Sequence, residues 1–116
     1  MMKITPWGFH KKVYHKKNSK NSMWVKEIFV KEGEATSLQS HKERDERFFY
    51  VSGKGEIIIG DERVEFTPFN REPVVCFRLD KHRIIGGVGG LTVIEIAEGN
   101  PKESDIIRYE DKYGRE

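Results

Sequence analysis

The sequence predicts an all-β domain, a sandwich or barrel built from short strands. Three observations carry this reading. Candidate strands recur roughly every 8–12 residues, separated by turns rich in Gly, Pro, Asn or Asp. No stretch of any length places apolar residues at the helical period. The apolar residues gather into short runs of β-branched and aromatic types, although only 36% of the 116 residues are hydrophobic and 34% are charged. A single domain of this length buries a real core, so the polar composition does not imply disorder.

Taken in order, Thr5-Pro6-Trp7-Gly8-Phe9 combines turn chemistry with two large aromatics and reads as a segment packed onto the body. Val13 and Tyr14 extend a first strand, and the polar run from Lys16 to Ser22 is a turn. From Met23 to Glu32 the chain alternates, with Trp24, Lys26, Ile28 and Val30 on one side and Met23, Val25 and Glu27 on the other. Glu32-Gly33-Glu34 turns the chain, and Ala35 to His41 is the next strand. Phe48 to Ser52 is a short apolar strand, reversed at Gly53-Lys54-Gly55. Glu56 to Ile59 leads to a turn at Gly60-Asp61-Glu62, after which Val64 and Phe66 alternate with charge. Pro68 and Pro73 mark a loop from Thr67 to Pro73. Val74 to Leu79 and His82 to Ile85 are strands joined at Asp80-Lys81. Gly86 to Gly90 reads as a flexible hairpin loop, and Leu91 to Ala97 as the last core strand. Ser104 to Tyr109 is a helical turn or a short strand, followed by a charged tail.

The net charge of +2 conceals an asymmetry, because residues 1–26 contain seven lysines and no acid. That segment lacks arginine and is interrupted by Gly and Asn-Ser, so a solvated hairpin is the preferred reading over a nucleic-acid-binding arm. The lone cysteine, Cys76, lies in the apolar run Val74-Val75-Cys76-Phe77 and reads as a small buried thiol, which suits a reducing cytoplasm. The apolar runs are only a few residues long, so neither a membrane span nor a secretory signal is expected. Gly86 to Gly90 has no lysine and no following helix, which excludes a phosphate loop.

The stretch from Leu38 to Gly53 carries the chemistry. On an extended strand Gln39, His41 and Glu43 point to one face, so three groups able to bind a metal or a sugar hydroxyl converge there. Glu46 follows after a short break. A plainer reading also stands, in which Lys42, Arg44 and Arg47 pair with Glu43, Asp45 and Glu46 on a solvated surface, where each pair contributes about 0–1 kcal/mol.

Gly33, His41-x-Glu43, Glu46 and Gly53 together resemble the first cupin motif, which has a glycine, His-x-His, a glutamate and a glycine. His82-Arg83 matches the position of that family's later histidine. Within cupins the chain is most similar to type II mannose-6-phosphate isomerases, often the C-terminal domain of a bifunctional enzyme that is also a mannose-1-phosphate guanylyltransferase. Pro6-Trp7-Gly8, Leu38-Gln39-Ser40-His41, Val51-Ser52-Gly53 and the tail from Ser104 to Arg115 carry that likeness over nearly the whole chain. The sequence departs from the family at Glu43, where a histidine is usual, at Arg47-Phe48, usually His-Trp, and in the approach to His82, which lacks the usual glycine.

The resemblance implies a cupin-type double-stranded β-helix, a jelly-roll barrel with little helix. Residues 1–116 form one domain, with 1–22 as a basic N-terminal arm and 100–116 as a charged tail packed on or near the barrel. It implies a divalent metal (zinc, iron(II), manganese or cobalt) held by His41, Glu43, Glu46 and His82. The implied activity is isomerisation of mannose 6-phosphate to fructose 6-phosphate, with Glu43 or Glu46 as base and Arg108 at the phosphate or oxyanion. Gln39 and Arg83 would bind substrate, a sugar phosphate or nucleotide sugar. It further implies a homodimer in the cytoplasm, with no membrane and no nucleic acid. The alternative is a non-catalytic cupin that binds a sugar or other small ligand.

Overall fold

The computed structural model describes residues 2–18 and 21–115, and among these there are nine strands and no helix. None of the described residues forms a helix long and apolar enough to cross a membrane. The strands are β1 (Met2–Thr5), β2 (Gly8–Lys16), β3 (Ser22–Val30), β4 (Leu38–Ser40), β5 (Arg44–Ile59), β6 (Glu62–Phe66), β7 (Val74–Cys76), β8 (His82–Gly99) and β9 (Ile107–Glu110). All pairings are antiparallel. One path of neighbours runs β1-β2-β3-β8-β4-β9, and β5 joins β6, β7 and β8.

Two long strands hold the barrel together. The first half of β5, Arg44 to Tyr50, pairs with the last part of β8, Val93 to Gly99. The second half, Gly55 to Ile59, pairs with the start of β8, His82 to Gly86. Where the register shifts, between Tyr50 and Ser52 and between Gly53 and Gly55, both strands bend and the sheet curls over its core. The core comprises Trp7, Ile28, Val30, Phe48, Ile57, Phe66, Val74, Cys76, Ile84, Leu91 and Val93.

Several expected elements differ. Gly53-Lys54-Gly55 does not reverse the chain, and Gly86 to Gly90 is not a hairpin loop; both lie inside continuous strands. The glycines are needed because the two bends cross closely: a Cβ on Gly53, whose φ is 87°, would lie 2.0 Å from the Gly90 carbonyl oxygen. The strand expected from Ala35 to His41 is shortened to Leu38–Ser40, and that from Val74 to Leu79 to Val74–Cys76. The lysine-rich N-terminal residues, by contrast, match the preferred hairpin reading: β1 pairs antiparallel with β2, and β2 with β3. The expected turn from Lys16 to Ser22 includes Ser19 and Lys20, which lie outside the described residues. The tail contributes β9, paired with β4.

Close approach and a left-handed backbone are separate demands on a glycine. Gly60 also has a positive φ, 58°, but nothing lies within 4 Å of a Cβ built there. Gly60→Ala should cost about 1 kcal/mol. Gly53→Ala should cost about 3 kcal/mol or more, since the left-handed penalty and overpacking add. Urea denaturation of the two variants checks this, and equal losses would remove the close-crossing account.

Candidate functional site

The inward faces of three strands change from apolar to polar within one inward position of each other. Val30 and Ile28 of β3 are followed inward by Lys26 and Trp24. Leu91 and Val93 of β8 are followed by Glu95, and Phe48 of β5 lies next to Glu46 and Arg44 on its strand's inner row. Register aligns the changes: Ile28 is opposite Val93, while Glu95 is opposite both Lys26 and Phe48. One end of the barrel is therefore a dry core and the other a buried polar chamber.

Two histidines enter this chamber from strand ends. His82 opens β8, where it pairs with Gln39 of β4 and Ile59 of β5. His41 follows β4 directly, and its carbonyl accepts a hydrogen bond from the Leu79 amide at 2.8 Å. His41 Nδ1 lies 2.5 Å from the Asp105 carbonyl, and His82 Nδ1 lies 3.2 Å from both the Asp80 carbonyl and Cys76 Sγ. A carbonyl only accepts, so each Nδ1 carries the proton and each Nε2 faces inward. Glu46 Oε1 lies 3.5 Å from His41 Nε2 and 3.0 Å from His82 Nε2. All three donor atoms lie within 4.8 Å of one another.

Arg44 closes the cluster. Its Nε is 3.1 Å from Glu46 Oε2, and its Nη2 donates to His41 Nε2 at 3.0 Å. Nη1 donates to the Lys102 carbonyl at 3.2 Å, and the guanidinium carbon lies 4.8 Å from the Trp24 ring centroid. Burial alone would push the Glu46 carboxyl up; interaction with Glu95 and His82 and the charge of Arg44 hold it well below the usual carboxylate range. Burial and the Glu46 charge push the Glu95 carboxyl well up. Burial lowers the His41 imidazole to about 4, with Arg44 and His82 adding to the effect. Burial also opposes charge on His82, but its contacts with Cys76 and Glu46 outweigh this and raise it well above its ordinary value.

Two imidazoles and one carboxylate form a donor set suited to iron(II), zinc or a similar divalent ion. The residues fit such an ion on a further observation: both Glu46 oxygens are buried without a well-formed hydrogen bond, as is Arg44 Nε. The site opens into a cavity of ≈ 190 Å³ whose lining includes Lys3, His10, Gln39, Glu46, His82 and Arg108. His10 is lowered to about 4 by burial and by Lys26, with Lys3 and Lys12 contributing, which marks this wall as electropositive.

Of the residues singled out by sequence, His41, Glu46 and His82 come together, and Gln39 and Arg108 line the cavity. Glu43 does not join them. The chain bends after β4, and Glu43 is turned to the surface, paired with Lys102 at 2.9 Å and accepting from Asn100 at 3.1 Å. Arg83 also lies elsewhere, because it follows His82 on the strand and so faces the opposite side; its Nε donates to the Thr36 carbonyl at 3.1 Å. The solvated-surface pairing is not what forms: Arg47 meets Glu98, Asp45 lies 3.8 Å from Arg78 and Glu43 meets Lys102, while Arg44 pairs with Glu46 inside the barrel. Sequence reasoning missed Arg44, Lys26, Glu95 and Asp105. The first three were signalled by sharing an alternation with apolar inward residues. Asp105 had no local signal; its carboxylate accepts the Lys42 and Glu43 amides at 2.9 and 2.8 Å, from more than 60 residues away.

The family described as mannose-6-phosphate isomerase C-terminal matches residues 2–111. This chain belongs to that family. It is 35% identical over 111 residues to the xanthan biosynthesis protein XanB of Xanthomonas campestris pv. campestris (strain B100), covering 95% of this chain and 23% of XanB. It is 36% identical over 112 residues to the alginate biosynthesis protein AlgA of Pseudomonas putida, covering 95% of this chain and 22% of AlgA. The chain thus spans less than a quarter of the length of these relatives. Among solved structures it superposes on the capsular polysaccharide assembling protein CapF of Staphylococcus aureus with a TM-score of 0.78 at 21% identity, covering 96% of this chain and 32% of CapF. A cupin 2 domain-containing protein of Halorhodospira halophila gives 0.63 at 18% identity, covering 83% of this chain and 70% of that one. The fold is a cupin.

Metal-free protein should show two histidines titrating in opposite directions. His41 should stay neutral until about pH 4, and His82 should hold its proton to higher pH than an ordinary histidine. The lowered His41 value sets the sign for stability: its contribution is complete above the unfolded pKa of 6.5 and is lost as pH falls from there towards 4. Nitrogen-detected NMR titration of the imidazoles checks both, and a His41 midpoint near 6.5 would contradict the buried, Arg44-facing geometry.

Proposed function

We propose that this domain is a metal-dependent sugar-phosphate isomerase that interconverts mannose 6-phosphate and fructose 6-phosphate. The observation that supports it most is the convergence of His41, Glu46 and His82 beside a cavity with cationic walls. These three residues would hold the divalent ion, which supplies Lewis acidity at the sugar carbonyl when bound. Lys3, Arg108 and Arg115 bring positive charge to the same cavity and suit a phosphate dianion. Arg115 is held in place by a two-pronged contact with Asp111 at 2.7 and 3.0 Å. Gln39 offers an amide to a substrate hydroxyl. Glu95, whose carboxyl is pushed up by burial and by the Glu46 charge, is the candidate proton donor beside Glu46 for an enediol intermediate. Glu43, outside the cavity, takes no step in this reading, and Arg83 does not reach substrate.

A second reading, a cupin that binds a sugar without turning it over, is favoured by the outward turn of Glu43, which leaves three donors where four were expected. Stripping and restoring divalent metal separates the two. Restored protein should convert mannose 6-phosphate, His82→Ala should lose about 100-fold or more, and Glu43→Gln should stay within about threefold because it leaves the cavity untouched. Metal-replete protein that turns over no hexose phosphate would leave only the binder.

A homodimer belongs to the same proposal. Phe9, Val25, Phe29, Ile94 and Ile96 share the half-buried outer face of β2, β3 and β8, an apolar face suited to a second copy. Sedimentation at the mass of one chain would remove the dimer.

A further inference from the structure

The lone pair of His41 Nε2 already has an occupant. With Nδ1–H committed to the Asp105 carbonyl, Nε2 has a single lone pair, and that lone pair accepts the Arg44 Nη2–H at 3.0 Å. A metal ion bound by His41 needs the same lone pair. The second oxygen of Glu46 is likewise answered by Arg44 Nε at 3.1 Å. We propose that the Arg44 guanidinium is an internal cation that occupies the metal's place at His41 and Glu46, so that metal binding and this position of Arg44 exclude each other. The proposal rests on the metal reading above and concerns what the chain does before the ion arrives.

Two further observations support it. Arg44 is 7% exposed, yet its Nε lacks a well-formed hydrogen bond, so its hold on Glu46 is by charge and is open to exchange for another cation. The guanidinium also has a second set of contacts that do not involve the donors: the Lys102 carbonyl at 3.2 Å and the face of Trp24 at 4.8 Å. Rotation of the side chain away from His41 can keep these while freeing the lone pair. Metal-free protein thus avoids an unanswered buried carboxylate, and metal affinity is reduced by the population of Arg44 on His41.

Zinc and cobalt(II) titration calorimetry on the full chain tests this, comparing the natural protein with Arg44→Met, which keeps side-chain length but removes charge and donors, and Arg44→Lys. Arg44→Met should bind either ion about tenfold more tightly or better, with Arg44→Lys between. In the natural protein, zinc should shift the Arg44 Nε–H resonance while leaving that of Arg63, paired with Glu56 at the surface, unmoved. This reading and the Arg44→Lys titration decide the matter if Arg44→Met does not fold. Equal or weaker binding by Arg44→Met, or an Arg44 resonance unmoved at saturating zinc, overturns the exchange while leaving the metal reading intact. No metal binding by any of the three proteins overturns both.

Discussion

Glu46 is an ionised carboxylate with 2% of its surface exposed, set in the wall of a β-barrel. An isolated charge there would cost many kcal/mol. The polar half of the structure can be understood as the set of groups that answer it. His82 meets one oxygen and Arg44 the other, Glu95 lies beside it with its own carboxyl pushed up, and His41 lies within ion-pair distance. Three of these have partners of their own in turn: His41 the Asp105 carbonyl, His82 the Asp80 carbonyl and Cys76, and Arg44 the Lys102 carbonyl and Trp24. Such a network is costly when incomplete and rigid when complete.

The fold supplies these partners because of how β5 and β8 run. A strand that bends sharply and continues keeps its alternation through the bend, so the start of β5 and both ends of β8 reach the same chamber. β5 thereby contributes Ile57 to the dry end and Glu46 to the polar end, and β8 contributes His82 at its start and Glu95 near its finish. The glycines at the bends make this continuity possible. They also bring His82, at one end of β8, to within 3.0 Å of a carboxylate two residues into β5.

The tail is part of the site in a way its charge does not suggest. Asp105 holds His41 through its carbonyl and the following bend through its carboxylate, so the residues just after β4 are shaped by a segment near the chain's end. β9 then places Arg108 opposite Gln39. Similarity to XanB and AlgA extends across this whole arrangement, since the matched residues include both the His41 region and the tail.

Alternation and turn chemistry in the sequence were enough to establish the all-β class and to put Trp24, Lys26, Ile28 and Val30 of β3 on one face, but burial in the folded barrel was needed to show that this face, and that of Leu91, Val93 and Glu95, points inward. The motif spacing was enough to select His41, Glu46 and His82. What it could not decide was where extended structure stops. The spacing of Gln39, His41 and Glu43 places them on one face only if the strand continues, but the chain bends after Ser40 because the Lys42 and Glu43 amides bond to a distant carboxylate. That bend turns Glu43 out and Arg44 in. The sequence likewise could not distinguish glycines that reverse a chain from glycines that let two strands cross, since both need a backbone without Cβ. Only the tertiary contacts, which set what lies beside each backbone atom, decided these points, and with them that the Arg44 guanidinium lies against His41 and Glu46.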